Sequence, residues 1–198
     1  MEEPKIGKTV SEHVKLSKRK YKQTKRTEST TTMPHEIYSY SLSDLDDLEN
    51  ELQFSKFNSS IAWELGVLAR ETCQKEYPQK PIVIDITLVS GQTLFHTAVA
   101  SGAQFDNDEW IRRKYKTTFR FGKSSFYMGQ KLRGKQGKSM EEAYYVSSKE
   151  YAFHGGSVPL KLVGFDNLLG ALTISGLAQE EDHLMAVKIL KLYTSRQK

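Results

Sequence analysis

Residues 151–183, YAFHGGSVPLKLVGFDNLLGALTISGLAQEEDH, decide how the rest of this 198-residue chain is read. Gly155-Gly156 offers the backbone a positive φ or a close approach to a neighbour, which a residue with a Cβ adopts only at a cost. Val158 to Val163 reads as a short strand, and Pro159 near its start suits a sheet edge or a bulge because proline cannot donate to a ladder. Gly164-Phe165-Asp166-Asn167 has the chemistry of a turn between two apolar runs. Leu168 to Ile174 is almost continuously apolar, the pattern of a strand covered on both faces. Ser175-Gly176 breaks it. Gln179-Glu180-Glu181-Asp182 then opens a helix by placing carboxylates where the macrodipole favours them.

Working outward, Ser43-Asp44-Leu45-Asp46 has capping-box spacing and opens a helix with Leu45, Leu48 and Leu52 on one side. Asn58-Ser59-Ser60 caps a second helix, whose core face is Ile61, Leu65, Leu68, Ala69 and Cys73 and which stops near Tyr77-Pro78. Residues 81–89 and 92–100 are β-branched runs joined by Ser90-Gly91, a hairpin signal. An Asp106-to-Glu109 box opens a third helix with Ile111, Tyr115, Thr118 and Phe119 on one face, and Gly122 ends it. Ser124 or Ser125 caps a short helix through Met128, residues 129–138 form a basic Gly-spaced loop, and Ser139 caps another short helix. The final helix, 179–195, is apolar around most of its circumference, with Lys188, Lys191 and Ser195 as a narrow polar stripe. That excess must meet other helices of the same chain or a second subunit. The order of elements gives an α+β domain with a mostly antiparallel sheet and helices on both faces.

Residues 1–33 hold nine Lys/Arg against four Asp/Glu, which accounts for the whole net charge of +5. They lack apolar periodicity and read as a disordered basic tail before a domain at 34–198. The cluster KLSKRKYKQTKR (15–26) is read as solvated, with a nuclear-localisation or polyanion-binding patch as the alternative. A start at Met33 would remove the tail altogether. The domain itself carries twenty charges of each sign, so nucleic-acid binding by it is not implied. No secretory signal pattern opens the chain and no apolar run reaches the length of a membrane span. One cysteine, Cys73, excludes an intramolecular disulfide and points to a reducing compartment, so a cytoplasmic protein is expected.

Candidate chemistry is sparse. GQKLRGK (129–135) imitates a phosphate loop, but Gln136 replaces the Ser/Thr that would reach a metal, and the segment follows a helix rather than a strand. His35, His96, His154 and His183 have no metal-binding spacing, so no metal site is expected. His96 reads as a packing residue within a strand. Trp110 with Arg112 and Arg113 could bind an anionic group, with the Gly155-Gly156 amides as a nest; against this stands a solvated helix face with an internal ion pair. Ser124-Ser125 has no local base and is read as a cap. No catalytic constellation is legible, so a non-catalytic role is the expectation.

The segments YAFHGG (151–156), LTISGL (172–177) and QEEDHLMAV (179–187), with DNDEWIRRK (106–114) and FGKSSFYMG (121–129), resemble the fungal intracellular branch of the haem-degrading-domain, GlcG-like family. The resemblance runs from about Leu42 to Tyr193, and the wider group includes a secreted bacterial haem-binding protein. It implies a profilin-like three-layer α/β/α arrangement with four to five strands, and assembly into multimers. It singles out His154, Gly155, Gly156, Ser175, Gly176, Asp182 and His183, whose histidines either fix loop and helix geometry through hydrogen bonds or contact a ligand. The function it implies is a homo-oligomeric cytosolic adaptor, linked through a co-chaperone to post-translational delivery of tail-anchored proteins to the ER membrane. The alternative it implies is haem or small-ligand binding with haem degradation. Haem as a cofactor rests on the resemblance alone, since the tyrosines and histidines do not select an axial position.

Overall fold

The structure, a computed structural model, describes residues 33–197. The tail reading of residues 1–33 therefore lies outside the described residues, Met33 excepted. A 3-10 turn at Glu36–Ser39 leads into α1 (Leu42–Asn50) and α2 (Ser59–Glu76), then β1 (Val83–Leu88) and β2 (Thr93–Ala98). Next come α3 (Phe105–Phe121), α4 (Ser125–Arg133) and α5 (Met140–Tyr144), and β3 (Ser157–Lys161), β4 (Leu168–Ser175) and α6 (Gln179–Thr194) close the order. The four strands form one sheet in the order β2-β1-β4-β3, every neighbour antiparallel. Pro159 sits in the edge strand β3 opposite Ala171, where its missing N–H costs the ladder least.

Strand alternation gives the sheet two unlike faces. Leu172 and Ile174 of β4 join Ile84, Ile86, Val158 and Leu160 in one apolar cluster with Leu65, Ala69 and Cys73 of α2 and Met185, Ile189 and Leu190 of α6. The intervening Thr173 lies on the other face, opposite Asp85 of β1, and both are buried. There Ser157 Oγ accepts from Thr173 Oγ1 at 3.0 Å and from Thr118 Oγ1 of α3 at 2.9 Å. The face under α3 is thus closed but hydrogen-bonded, so its polar groups pay little for burial. The result is the expected α+β domain in three layers, with α2 and α6 on one side and α3 on the other.

α6 accounts for its own apolar excess. Its Met185, Ala186, Val187, Ile189, Leu190 and Tyr193 are buried within the chain, and Lys188 and Lys191 reach outward to Glu76 (2.5 Å) and Glu51 (3.3 Å). Only Leu192 stands out as an exposed large apolar side chain on this helix. The helix packs mainly on elements of its own chain, the first of the two alternatives that its apolar excess left open. Burying each of its large side chains stabilises the fold by roughly 1.5–3 kcal/mol.

Several local boundaries differ from the sequence reading for identifiable reasons. The capping box of α1 is Ser41 with Asp44, not Ser43 with Asp46: Ser41 N–H donates to Asp44 Oδ2 at 2.8 Å, and Asp44 N–H to Ser41 Oγ at 3.1 Å. The cap of α3 lies two residues earlier, with Gln104 N–H donating to Asn107 Oδ1 at 2.8 Å. α4 runs on to Arg133, so half of the expected basic loop is helix. Ser124 does cap it, accepting from Tyr127 N–H at 3.0 Å. Among the described residues no helix is long and apolar enough to cross a membrane.

Candidate functional site: two grooves meeting at His154

The loop before β3 is pressed against the start of α6. A Cβ on Gly155 would lie 2.2 Å from Gln179 O, and one on Gly156 would lie 2.2 Å from Ile174 O. Gly156 also has φ +126°, a conformation that side chains rarely tolerate. Gly155 N–H donates to Gln179 Oε1 at 3.3 Å and Gly156 O accepts from Ile174 N–H at 2.9 Å. The Gly155 amide is therefore engaged within the chain, and the anion-nest reading loses one of its two donors.

Beneath this loop lies a buried ion pair. Lys114 of α3 donates to Asp182 Oδ2 at 2.8 Å, to Ile174 O at 3.1 Å and to Ser175 Oγ at 3.4 Å. Asp182 Oδ1 accepts from Leu177 N–H at 3.0 Å. Both charged side chains are almost fully buried. Burial pushes the Asp182 carboxyl up to about 6, against the pull of Lys114 and of the Gly176 and Leu177 amides, and pulls Lys114 below the ordinary lysine value. This pair ties α3 to the β4–α6 corner, and it gives Ser175, Gly176 and Asp182 a structural task.

His183, one residue on, is enclosed completely. Burial and the nearby Lys114 charge push its pKa down to about 3, so its ring is neutral. Among the described residues neither ring nitrogen has a hydrogen-bond partner. It does not fix geometry through hydrogen bonds, as one sequence reading had it; its ring packs on Phe126 instead.

His154 behaves differently. Its ring is exposed, stands edge-on to Trp110 with centroids 5.0 Å apart, and has no hydrogen-bond partner among the described residues. Partial desolvation, with the charges of Lys114 and Arg113, lowers its pKa below the ordinary value. Trp110 is held from both sides: its Nε1 donates to Asp106 Oδ2 at 3.0 Å, and the Arg113 guanidinium stacks over its ring at 4.2 Å. Arg112 points elsewhere, forking onto Glu109 (2.6 Å) and Glu150 (2.9 Å). It makes the intramolecular ion pair of the bland reading and is not free for a ligand.

His154 and Gln179 form the wall between two grooves. The first, about 380 Å³, has an apolar floor of Phe126, Leu132, Met140 and Phe153 and a basic rim of Arg133 and Lys138. The second, about 550 Å³, is polar and holds Asp106, Trp110, Ser175, Gly176, Glu180 and Asp182. The structure thus gathers Trp110, His154, Ser175, Gly176 and Asp182 around one opening, and leaves Arg112 and His183 outside it. Sequence reading passed over Arg133, Lys138 and the aromatic floor. Their signal was present in the acid-free run 129–138, but it was read as a loop on its own.

A second polar cluster lies away from this opening. His96 is clamped between Asp85 Oδ2 (3.0 Å) and Asp108 Oδ1 (3.2 Å), so it joins β1, β2 and α3 rather than packing as an ordinary strand residue. Among the described residues, no three His, Cys, Asp or Glu side chains are placed to hold a metal ion.

With this geometry in view, comparison with known proteins is informative. A family model described as "Haem degrading protein HbpS-like" matches residues 57–191. The UPF0303 protein YBR137W of Saccharomyces cerevisiae is 49% identical over 149 residues, covering 75% of this chain and 82% of that protein. The crystal structure of the Ybr137w protein superposes with a TM-score of 0.77 at 45% identity, covering 81% of this chain and 93% of that one. The crystal structure of a PduOC:heme complex superposes with a TM-score of 0.57 at 19% identity, covering 69% of this chain and 94% of that one, which at that identity speaks to fold alone.

Proposed function

We propose that this chain, which belongs to the HbpS-like family of haem-degrading proteins, binds haem in the groove floored by Phe126, Leu132, Met140 and Phe153. Haem needs an axial donor, apolar contact for the macrocycle faces and cations near its carboxylates. The residues present fit these needs. His154 offers a neutral imidazole with no competing hydrogen bond, the floor is apolar, and Arg133 and Lys138 stand at the rim. When bound, the haem supplies a redox-active iron. The chain's own part is to hold the imidazole at the mouth of an apolar slot, with Trp110 beside it and Gln179 in the same wall.

The observation that carries this reading is His154: an exposed histidine, without a hydrogen-bond partner among the described residues, at the one wall the two grooves share. The family description supports ligand binding over the adaptor role in membrane-protein delivery, on which neither the groove nor the comparisons bear. Addition of haemin to the purified chain is expected to give a Soret band at one equivalent, shifted or lost in His154→Ala. No band in the intact chain, or an identical spectrum in the variant, would remove the reading or its axial ligand respectively.

Self-association accompanies this proposal. Trp63 and Phe105, 63% and 94% exposed, are large rings left in solvent by the single chain, and such side chains commonly lie at interfaces. Light scattering is expected to give a mass above one chain, and a monomer would end this part.

A further inference from the structure

The haem reading places Arg133 and Lys138 at the rim of the first groove, and the surroundings of these two cations are specific. Arg133, the last residue of α4, lies over the Tyr38 ring with its guanidinium 4.3 Å from the centroid. Tyr38 is itself fixed at both ends: its hydroxyl donates to Glu180 Oε2 at 2.9 Å, and its carbonyl accepts from Gln130 Nε2 at 3.2 Å. A stacked guanidinium keeps its edge donors free for a planar acceptor. Lys138 follows two consecutive residues of positive φ, Gln136 (53°) and Gly137 (80°), and its N–H donates to Lys135 O at 3.3 Å. This turn brings the chain back so that Lys138 borders the same groove as Arg133. Neither side chain takes part in an ion pair among the described residues, and residues 129–138 contain no acid. Among the described residues no Asp or Glu lines this groove, and Glu180, which lines the second one, already accepts from Tyr38.

We infer that Arg133 and Lys138 form a carboxylate-reading pair, so that this groove selects an amphipathic, planar dicarboxylate rather than an apolar ring or a simple anion. The inference rests on the haem reading and goes beyond it by making these two side chains, rather than the iron or the macrocycle, the source of a preference for the charged diacid over its neutral ester. The apolar floor beneath the cations argues against a free phosphate, which would gain nothing from Phe126 and Phe153. The unlike second groove, with Asp106 and Glu180 on its walls, repels carboxylates and so gives the ligand one direction in which to lie.

The test compares haemin with its dimethyl ester, which keeps the iron and the macrocycle but loses both negative charges. Binding is read by quenching of tryptophan fluorescence and by the Soret band, in the intact chain, in Arg133→Gln/Lys138→Gln, and in Lys131→Gln/Lys135→Gln as a charge-matched control outside the groove. Haemin is expected to bind the intact chain roughly tenfold or more tightly than the ester, the scale of one charge-assisted hydrogen bond. The Arg133/Lys138 variant should erase that preference, and the control should keep it. Equal affinity for haemin and ester in the intact chain overturns the carboxylate pair while leaving haem binding in place. Failure of both ligands to bind removes the haem reading and this inference with it. An equal loss in the control replaces the pair by a diffuse basic field, and displacement of haemin by inorganic phosphate replaces it by a general anion site; either result overturns the inference.

Discussion

His183 is stacked on Phe126 with ring centroids 4.7 Å apart and 16° between their planes, and neither imidazole nitrogen has a hydrogen-bond partner among the described residues. Each buried, unpaired polar atom costs roughly 1–3 kcal/mol in desolvation. His183→Leu, a change close to isosteric, is therefore expected to raise the urea midpoint at pH 7 by an amount equivalent to about 1 kcal/mol, the lost ring stacking taking back part of the gain. A fall of that size would mean that a buried water or another group satisfies the imidazole.

The same residue governs the acid limb of stability. Its folded-state pKa, about 3, lies below the ordinary value near 6.5. Between these two values the unfolded chain takes up a proton that the folded chain refuses, so stability falls as pH drops from about 6.5 to about 3. Asp182 acts with the opposite sign. Its raised pKa lets the folded chain keep a proton longer, so charging it costs stability as pH rises from 3.8 to about 6. The histidine interval is the wider, and net loss on acidification is expected, with a magnitude on the order of a few kcal/mol. His183→Leu should make that loss shallower over the same range; denaturation midpoints that fall just as steeply with acid in the variant would remove His183 as the cause.

Lys114 and Asp182 form a pair in which losing one partner is worse than losing both. Lys114→Met leaves Asp182 buried without its cation and is expected to cost about 3–5 kcal/mol, whereas Lys114→Met/Asp182→Leu should recover a large part of that. The comparison is a double-mutant cycle on denaturant midpoints. Additive losses would show that the two charges do not depend on each other.

The difference between what the sequence disclosed and what it hid follows from the range of the interactions concerned. The hairpin at Ser90-Gly91, the Asn58 and Ser124 caps and the β4 run could be read because each depends on residues within a few positions. The capping boxes of α1 and α3 each shifted by two residues because Ser, Asp and Asn recur there and several spacings satisfy the same rule. Lys114 was legible only as one of three consecutive cations. That it alone turns inward depends on contacts with Ile174, Ser175 and Asp182, sixty and more residues away. The apolar circumference of α6 was read correctly, but whether a helix or a second chain covers it is decided by where α2 lies. The groove floor escaped notice for the same reason, since Phe126 and Phe153 meet only in three dimensions.

Gly155 and Gly156 should resist substitution by different mechanisms. Gly155→Ala forces a methyl against Gln179 O, and Gly156→Ala adds strain at φ +126° to the contact with Ile174 O. Each is expected to destabilise the fold by roughly 1–3 kcal/mol, with Gly156 the more sensitive. Near-wild-type melting of both variants would show that the loop relaxes freely and that its close approach to α6 has no energetic weight.

The proton affinity of His154 links the surroundings of the ring to its proposed use as an iron ligand. Desolvation lowers its pKa first, and the Lys114 and Arg113 charges lower it further. Arg113 stands over Trp110, the ring against which His154 rests, so Arg113→Gln removes one nearby cation and leaves the buried Lys114–Asp182 pair in place. Removing a cation favours the protonated imidazole, so the His154 pKa should rise toward the ordinary value in Arg113→Gln. Only the neutral ring can donate a lone pair to a metal, and protons and iron compete for the same nitrogen. The acid limit of haemin binding should therefore move upward by the same interval as the pKa. Ring-proton chemical shifts against pH give the first quantity without ligand, and the Soret band against pH gives the second. A shifted pKa with an unmoved acid limit would separate His154 from the iron, whereas an unmoved pKa would show that solvent screens Arg113 at this site.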